Sequence, residues 1–220
     1  MPYCQPVSPK IADPELRTEL IETAARLVAT EGRGGLTLRR LAQEVGTSTM
    51  AIYTHFGGMD ELRREVRREG FNRLRERLDA VRSTRDPIAD LSLLGVAYYL
   101  SAASSPNLYR AMFLDGPVDD ADFNTGLDTF MHLVNGVERC LAAGRLPSAM
   151  PADAGELAVE LWALNHGLVT LQLAHLLPAE QALARFETAG RSLMLAWGAD
   201  PKGLARSMAS VRRRLAQSTN

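Results

Sequence analysis

Cysteine is scarce in this chain, with two in 220 residues, Cys4 and Cys140, far apart in sequence. Such spacing excludes a disulfide framework and a cysteine-based metal cluster, and it suits a reducing cytoplasm. Catalytic signatures are missing as well: there is no His-Glu-x-x-His pair, no Gly-x-Ser-x-Gly elbow, no glycine-rich phosphate loop and no Cys-x-x-Cys. His132 lies near Asp128 and His175 stands in an apolar run, but neither has an evident nucleophile beside it. The acids from Asp115 to Asp122 do not follow calcium-loop spacing and read as a solvated loop with a helix start. No catalytic residue, metal or cofactor is implied. Sustained period-two alternation is absent, so strands are not expected. The opening MPYCQPVSPK has no hydrophobic signal region, and secretion is not expected.

A net charge of −1 gives little sign of a nucleic-acid partner, but its distribution does. Residues Arg33 to Arg82 hold 11 basic and 7 acidic side chains, a net of +4 against −5 for the remainder. A basic N-terminal third on an acidic body is the asymmetry expected when one end faces phosphate.

Helical spacing runs almost throughout. Residues 1–12, with Pro2, Pro6 and Pro9, read as a flexible arm. Asp13-Pro14-Glu15 supplies a cap, a proline at the first helical position and a first-turn acid. Leu16, Leu20, Ala24, Leu27 and Val28 then form one apolar stripe up to Gly32. Thr37 caps a second helix, with Leu36 and Leu41 as a hydrophobic staple; Leu38, Leu41, Ala42 and Val45 point inward, and Gly46 ends it. Ser48 caps a third helix that shows Thr49, Met50 and Tyr53 outward and packs Ala51, Ile52 and Phe56 inward. Gly57-Gly58 closes it, and Asp60-Glu61 opens a long fourth helix to about Val81. Further helices are expected at about 86–104, 107–114, 120–143, 152–177, 178–198 and 200–216. The fold class is all-α: a three-helix helix-turn-helix domain (13–58), a connecting helix (59–82) and a larger helical domain for ligand binding and dimerisation (83–220).

Between Leu161 and Ala179 no residue is charged. Asn165, His166, Gln172 and His175 make this segment too polar for lipid. A helix apolar on most faces is buried on two sides, one against its own domain and one against a partner subunit, so no membrane association is expected.

The third helix offers hydroxyls, at Thr49 with Thr47 and Ser48 at its edge, which suit phosphate oxygens near a helix N-terminus. Met50 and the Thr49 methyl suit a thymine methyl, and Tyr53 suits phosphate. His55 stands at the other edge. Arg39 and Arg40 on the preceding helix are the nearest guanidiniums, for backbone or base. The plain alternative is a helical hairpin with a solvated hydroxyl face. Arg63, Arg64, Arg67 and Arg68 make one basic ridge on the fourth helix, with Glu61, Glu65 and Glu69 beside it; its start suits phosphate and its later turns suit a solvated, charge-laced face.

In the larger domain, Trp162 and His166 are four apart. Tyr98, Tyr99, Met112, Phe113, Phe123, Phe130 and Met131 supply aromatic and thioether surface nearby. These residues either form plain core or line a cavity for an apolar small molecule, with Tyr98 and His166 as its polar anchors.

At this point Thr37–Leu62 resembles the DNA-binding segment of the TetR family of transcriptional regulators. The likeness rests on Thr37-Leu38-Arg39-Arg40-Leu41-Ala42, on Gly46, and on Ala51-Ile52-Tyr53-Thr54-His55-Phe56 followed by Asp60-Glu61-Leu62. Leu161-Trp162-Ala163-Leu164-Asn165-His166-Gly167 resembles the Trp-His-Gly-containing C-terminal domain of a subset of that family. The resemblance implies a homodimer on a palindromic double-stranded operator. It also implies a ligand cavity in the larger domain and a dimer interface near 152–177 and 178–198. By position it gives DNA contact to Thr37, Ser48, Thr49, Met50, Tyr53 and His55. Two departures stand out: Met59 where members usually carry lysine, and Met50 where glycine is frequent. The expected function is a repressor released by a small, largely apolar effector. Two alternatives stay open: a helical ligand-binding protein without operator binding, and an all-α enzyme using His166 or His175.

Overall fold

A computed structural model describes residues 13–32, 34–113, 120–147 and 153–218. Among the described residues there are ten α-helices and no strand: α1 Pro14–Glu31, α2 Leu38–Val45, α3 Thr49–Phe56, α4 Met59–Asp79, α5 Pro87–Ser104, α6 Pro106–Phe113, α7 Asp120–Ala142, α8 Ala154–Leu173, α9 Ala179–Ala196 and α10 Pro201–Ser218. The expected arm, 1–12, and most of the acidic run after Asp115 lie outside the described residues, as does the Phe123 side chain.

Local chemistry sets the first three helices. The Asp13 carboxylate accepts from the Glu15 N–H, Thr37 Oγ1 from the Arg40 N–H and Ser48 Oγ from the Ala51 N–H, each occupying a backbone donor that the first turn leaves unpaired. At Gly46 φ is 70° and ψ 30°. The Gly46 N–H donates to the Gln43 carbonyl and the Thr47 N–H to the Ala42 carbonyl, the paired bonds of a left-handed helix stop that glycine adopts without strain. Leu36 and Leu41 are both buried, as the staple requires. Ile52 and Phe56 complete this core, whereas Ala51 is half-buried and Leu38 and Val45 only partly covered.

α4 and α6 do not respect a division between a DNA-binding and a ligand-binding part. Leu62 and Val66 of α4, with Leu108 and Ala111 of α6, belong to the core of the first three helices. Phe71, Leu74 and Leu78 of α4, with Tyr109 and Met112 of α6, belong to a second cluster with α5, α8 and α9. The two helices come very close: a Cβ on Gly70 would lie 2.5 Å from Met112 Sδ, so any larger residue there would force the Met112 side chain to move. Arg110 of α6 donates to the Ala29 carbonyl of α1 (3.5 Å) and to the Leu173 carbonyl of α8. One short helix therefore touches the core of the first three helices, the second cluster and the end of α8.

α8 is shorter than the apolar run suggests, ending at Leu173 and not near residue 177. His175 takes φ 59°, its N–H donates to the Gln172 carbonyl and the Leu176 N–H to the Leu171 carbonyl. This is the same helix stop as at Gly46, made here with a histidine just ahead of Pro178, which cannot continue a helix. Among the described residues, no helix is long and apolar enough to cross a membrane.

The segment at 200–216 is a structural buttress. Leu204, Met208 and Val211 of α10 pack into the third core, with Ile88, Leu91, Val137 and Trp197. Asp90, 2% exposed, accepts from the Thr84 N–H (2.6 Å) and hydroxyl (2.8 Å), from Arg139 of α7 (3.1 Å) and from Arg214 of α10 (2.7 Å). Burial alone would raise its pKa, but the Thr84 N–H, Arg214, the Thr84 hydroxyl and Arg139 outweigh it and hold the carboxyl below its ordinary value.

Candidate nucleic-acid interface and ligand cavity

α2 and α3 carry the first site. Thr37, Arg39, Ser48, Thr49, Met50 and Tyr53 are exposed, Met50 by 71% and Tyr53 by 49% although both are large and apolar in part. Thr37 and Ser48 use their oxygens as acceptors for backbone N–H groups. Their hydroxyl protons therefore point away from the helix as donors, the polarity a phosphate oxygen needs. Thr47 is half-buried, and its N–H is already committed to Ala42. Among the described residues Arg39 has no ion-pair partner, whereas Arg40 is bound to Glu44 (3.0 Å) and Glu31 (3.5 Å). Arg26 shares Glu44, and its hydrogen bond, followed by the Arg40 charge, holds that carboxyl below its ordinary value.

His55 turns partly inward. It is half-buried, its Nδ1 is enclosed without a hydrogen-bond partner, and its ring lies 5.9 Å from that of Phe56. The basic ridge of α4 is internally compensated: Arg63 pairs with Asp60 (3.2 Å), Arg64 with Glu61 (3.0 Å) and Arg68 with Glu65, while Arg67 donates to the Ala111 carbonyl (3.4 Å). Met59, in place of a lysine, packs against the core of the first domain. Of the two arginines on α2, Arg39 is thus the one without an ion-pair partner among the described residues, and the rest of the exposed face is hydroxyls, a methionine and a tyrosine.

The second site is a cavity of about 490 Å³ enclosed by α4 to α8, within the usual range of small-molecule pockets. Tyr98, Met112, Phe113, Phe130 and Trp162 line it, as the sequence suggests, together with Phe71, Leu74, Leu78, Leu94 and Leu133. Leu127 of α7 and Val159 of α8 line it while 42% and 50% exposed, which places the opening between those helices. Two expectations change. Tyr99 points the other way, with its ring 5.8 Å from that of Phe186 and its hydroxyl donating to the Ala179 carbonyl (3.4 Å). Consecutive residues differ by about 100° around a helix, so Tyr98 and Tyr99 serve different faces. Met131 is 40% exposed and does not line the cavity.

His166 lies behind the cavity wall. Its Nδ1 is 2.6 Å from the Tyr109 hydroxyl and 3.0 Å from that of Tyr98, and the two hydroxyls are 2.8 Å apart. Burial holds the imidazole below its usual pKa, which favours the neutral ring, and the direction of its Nδ1 hydrogen bonds to the two phenols follows the tautomer. Burial pushes Tyr98 up to about 12, partly offset by hydrogen bonds with Tyr109 and Trp162, and raises Tyr109 as well. The two hydroxyls and Nδ1 thus engage one another, and His166 is not among the residues that line the cavity. Tyr109 was not singled out in the sequence, yet it shares a face with Met112 and Phe113 at i+3 and i+4, a spacing that would have found it. His132 is occupied elsewhere, with Nε2 at 2.7 Å from Asp79 at the end of α4. Cys140 is fully buried, its thiol raised to about 12 by that burial.

The chain matches two family models, "Bacterial regulatory proteins, tetR family" over residues 20–66 and "Tetracyclin repressor-like, C-terminal domain" over residues 91–193. It is 35% identical over 71 residues to the HTH-type transcriptional repressor AcnR of Corynebacterium jeikeium, a match spanning 31% of this chain and 38% of AcnR. It is 26% identical over 161 residues to the HTH-type transcriptional regulator Rv0681 of Mycobacterium tuberculosis, covering 71% of this chain and 70% of that one. Among solved structures it resembles the regulator PfmR of Thermus thermophilus, with a TM-score of 0.68 at 16% identity over 80% of this chain and 96% of that one. At that identity the likeness concerns the fold.

Proposed function

The chain belongs to the TetR family of bacterial regulatory proteins and, we propose, is a homodimeric repressor released from an operator by a small, largely apolar effector. The observation that carries this reading is α6. Its Leu108 and Ala111 sit in the DNA-binding core, its Met112 and Phe113 line the cavity, and its Arg110 bonds the ends of α1 and α8. A molecule filling the cavity bears directly on α6 and, through it, on α1 and the spacing of the two recognition helices. The effector acts only to the extent that it binds the released arrangement better than the operator-bound one.

DNA contact is assigned to Thr37, Arg39, Ser48, Thr49, Met50 and Tyr53, with Arg40, Thr47 and His55 at the margin because each is partly committed within the protein. The dimer is assigned to α8 and α9, whose apolar side chains Leu171 and Leu183, with Leu176 between the helices, are exposed in one subunit. Selection from a random duplex library with the purified protein tests the reading. It is expected to enrich an inverted repeat with half-site centres about one helical turn, or a multiple of it, apart. Recovery of unrelated sequences would remove the operator from the proposal and leave a ligand-binding protein.

A further inference from the structure

The effector cavity just proposed has one side-chain amide on its lining. Asn165 of α8 is 4% exposed and lines the cavity, and its amide, which is not among the sealed polar atoms, makes no side-chain hydrogen bond among the described residues. Buried amides are normally paired, and one that opens onto a cavity is paired there by water or by a ligand group. Thr129 of α7 lines the same space, 7% exposed, and gives its hydroxyl proton to the Gly126 carbonyl at 2.7 Å, which leaves its lone pairs as acceptors. Gly95 keeps the space beside the amide open: a Cβ there would stand 3.1 Å from the Phe186 ring and 3.4 Å from Asn165 Nδ2. A glycine in mid-helix is disfavoured relative to alanine, so its presence suits a requirement for room. No described residue lining the cavity is charged.

We infer that the effector is an uncharged, mostly hydrocarbon molecule carrying one carbonyl or hydroxyl group, and that Asn165 is the anchor for that group, with Thr129 accepting any proton it offers. A carboxylate, phosphate or ammonium would enter without a countercharge and lose its hydration uncompensated. A pure hydrocarbon would fill the volume and leave Asn165 unpaired. The inference rests on the reading of this cavity as the effector site, but its test does not use DNA.

Four probes of similar chain length separate the cases in calorimetric titrations of the full-length protein: methyl nonyl ketone, undecane, decanoate and decylammonium. The ketone is expected to bind about tenfold more tightly than undecane, and more tightly than either ion, the size of effect expected for one hydrogen bond to an otherwise unpaired group. In Asn165→Leu the preference for ketone over undecane is expected to vanish, with undecane binding at least as well as before. Binding of either ion as tight as the ketone would overturn the proposal, as would an unchanged ketone preference in the variant or no binding of the ketone at all. The wild-type ranking decides alone if Asn165→Leu does not fold. Ketone binding that follows this ranking without releasing operator DNA would leave the anchor in place and defeat only the effector reading.

Discussion

Asp90→Ala is expected to lower the stability of the folded protein by about 3 kcal/mol, because it strips the common acceptor from two arginines and the Thr84 turn at once. For a chain of this size that corresponds to a fall of roughly 10 °C in the melting midpoint. The position does not face the cavity or the DNA-binding surface. It is 2% exposed and joins the turn before α5, α7 and α10 through Thr84, Arg139 and Arg214. Removing Arg214 alone is expected to cost less, about 1 kcal/mol, since its side chain is partly solvated and Asp90 keeps its other donors. The pH dependence carries the same sign. The folded carboxyl has a depressed pKa, so its contribution is complete above the ordinary carboxylate value and is lost as pH falls through the lower folded value. Wild type and Asp90→Ala should therefore converge in strongly acid solution. Melting at fixed protein concentration, across pH, checks both points, and an unchanged midpoint at neutral pH would show that α10 is held by its apolar face alone.

Tyr53→Ala is expected to weaken operator binding by about tenfold per recognition helix, from loss of a hydrogen bond to a phosphate oxygen worth about 1–2 kcal/mol. The ring is 49% exposed on α3 and contributes nothing to the core of that domain, so helix content and melting should stay as in wild type. Because tyrosine is neutral, the salt dependence of binding should also stay as it was. Arg39→Ala is the informative contrast, as it should reduce the salt slope by about one per subunit. Affinity unaffected by Tyr53→Ala would move the reading surface off the outer face of α3.

How far the sequence carried the fold depends on the range of the forces involved. Caps at Asp13, Thr37 and Ser48 and the stop at Gly46 act within four residues, and all are legible in the chain. The acids beside the α4 arginines are equally local: Asp60, Glu61 and Glu65 each stand three residues before their partners, a spacing that marks a compensated helix face. Longer range defeats such reading. Tyr98 and Tyr99 are indistinguishable by type, and the crossing of α5 over its neighbours decides which one meets the cavity. His166 finds Tyr109 across 57 positions, and Asp90 finds Arg214 across 124. Periodicity does not report such pairings. For the same reason the proposed anchor is Asn165 and not Tyr98 or His166, whose hydroxyl and Nδ1 engage each other.

The role of α6 follows from burial on two sides. Eight residues supply Leu108 and Ala111 to one core and Met112 and Phe113 to the cavity wall. In the sequence they read as one short amphipathic helix. Only the placement of α1 and α4 around it shows that this helix of the larger domain also packs against the core of the first three helices.

Fluorescence anisotropy of the selected inverted repeat, titrated with protein over a range of salt, bears most directly on the claim that this chain reads DNA. Saturable binding in the range of about 10⁻⁸ M or tighter is expected, at least about a thousandfold stronger than to a scrambled duplex of the same length, with affinity falling steeply as salt rises. Equal, weak affinity for the repeat and the scrambled duplex would contradict it.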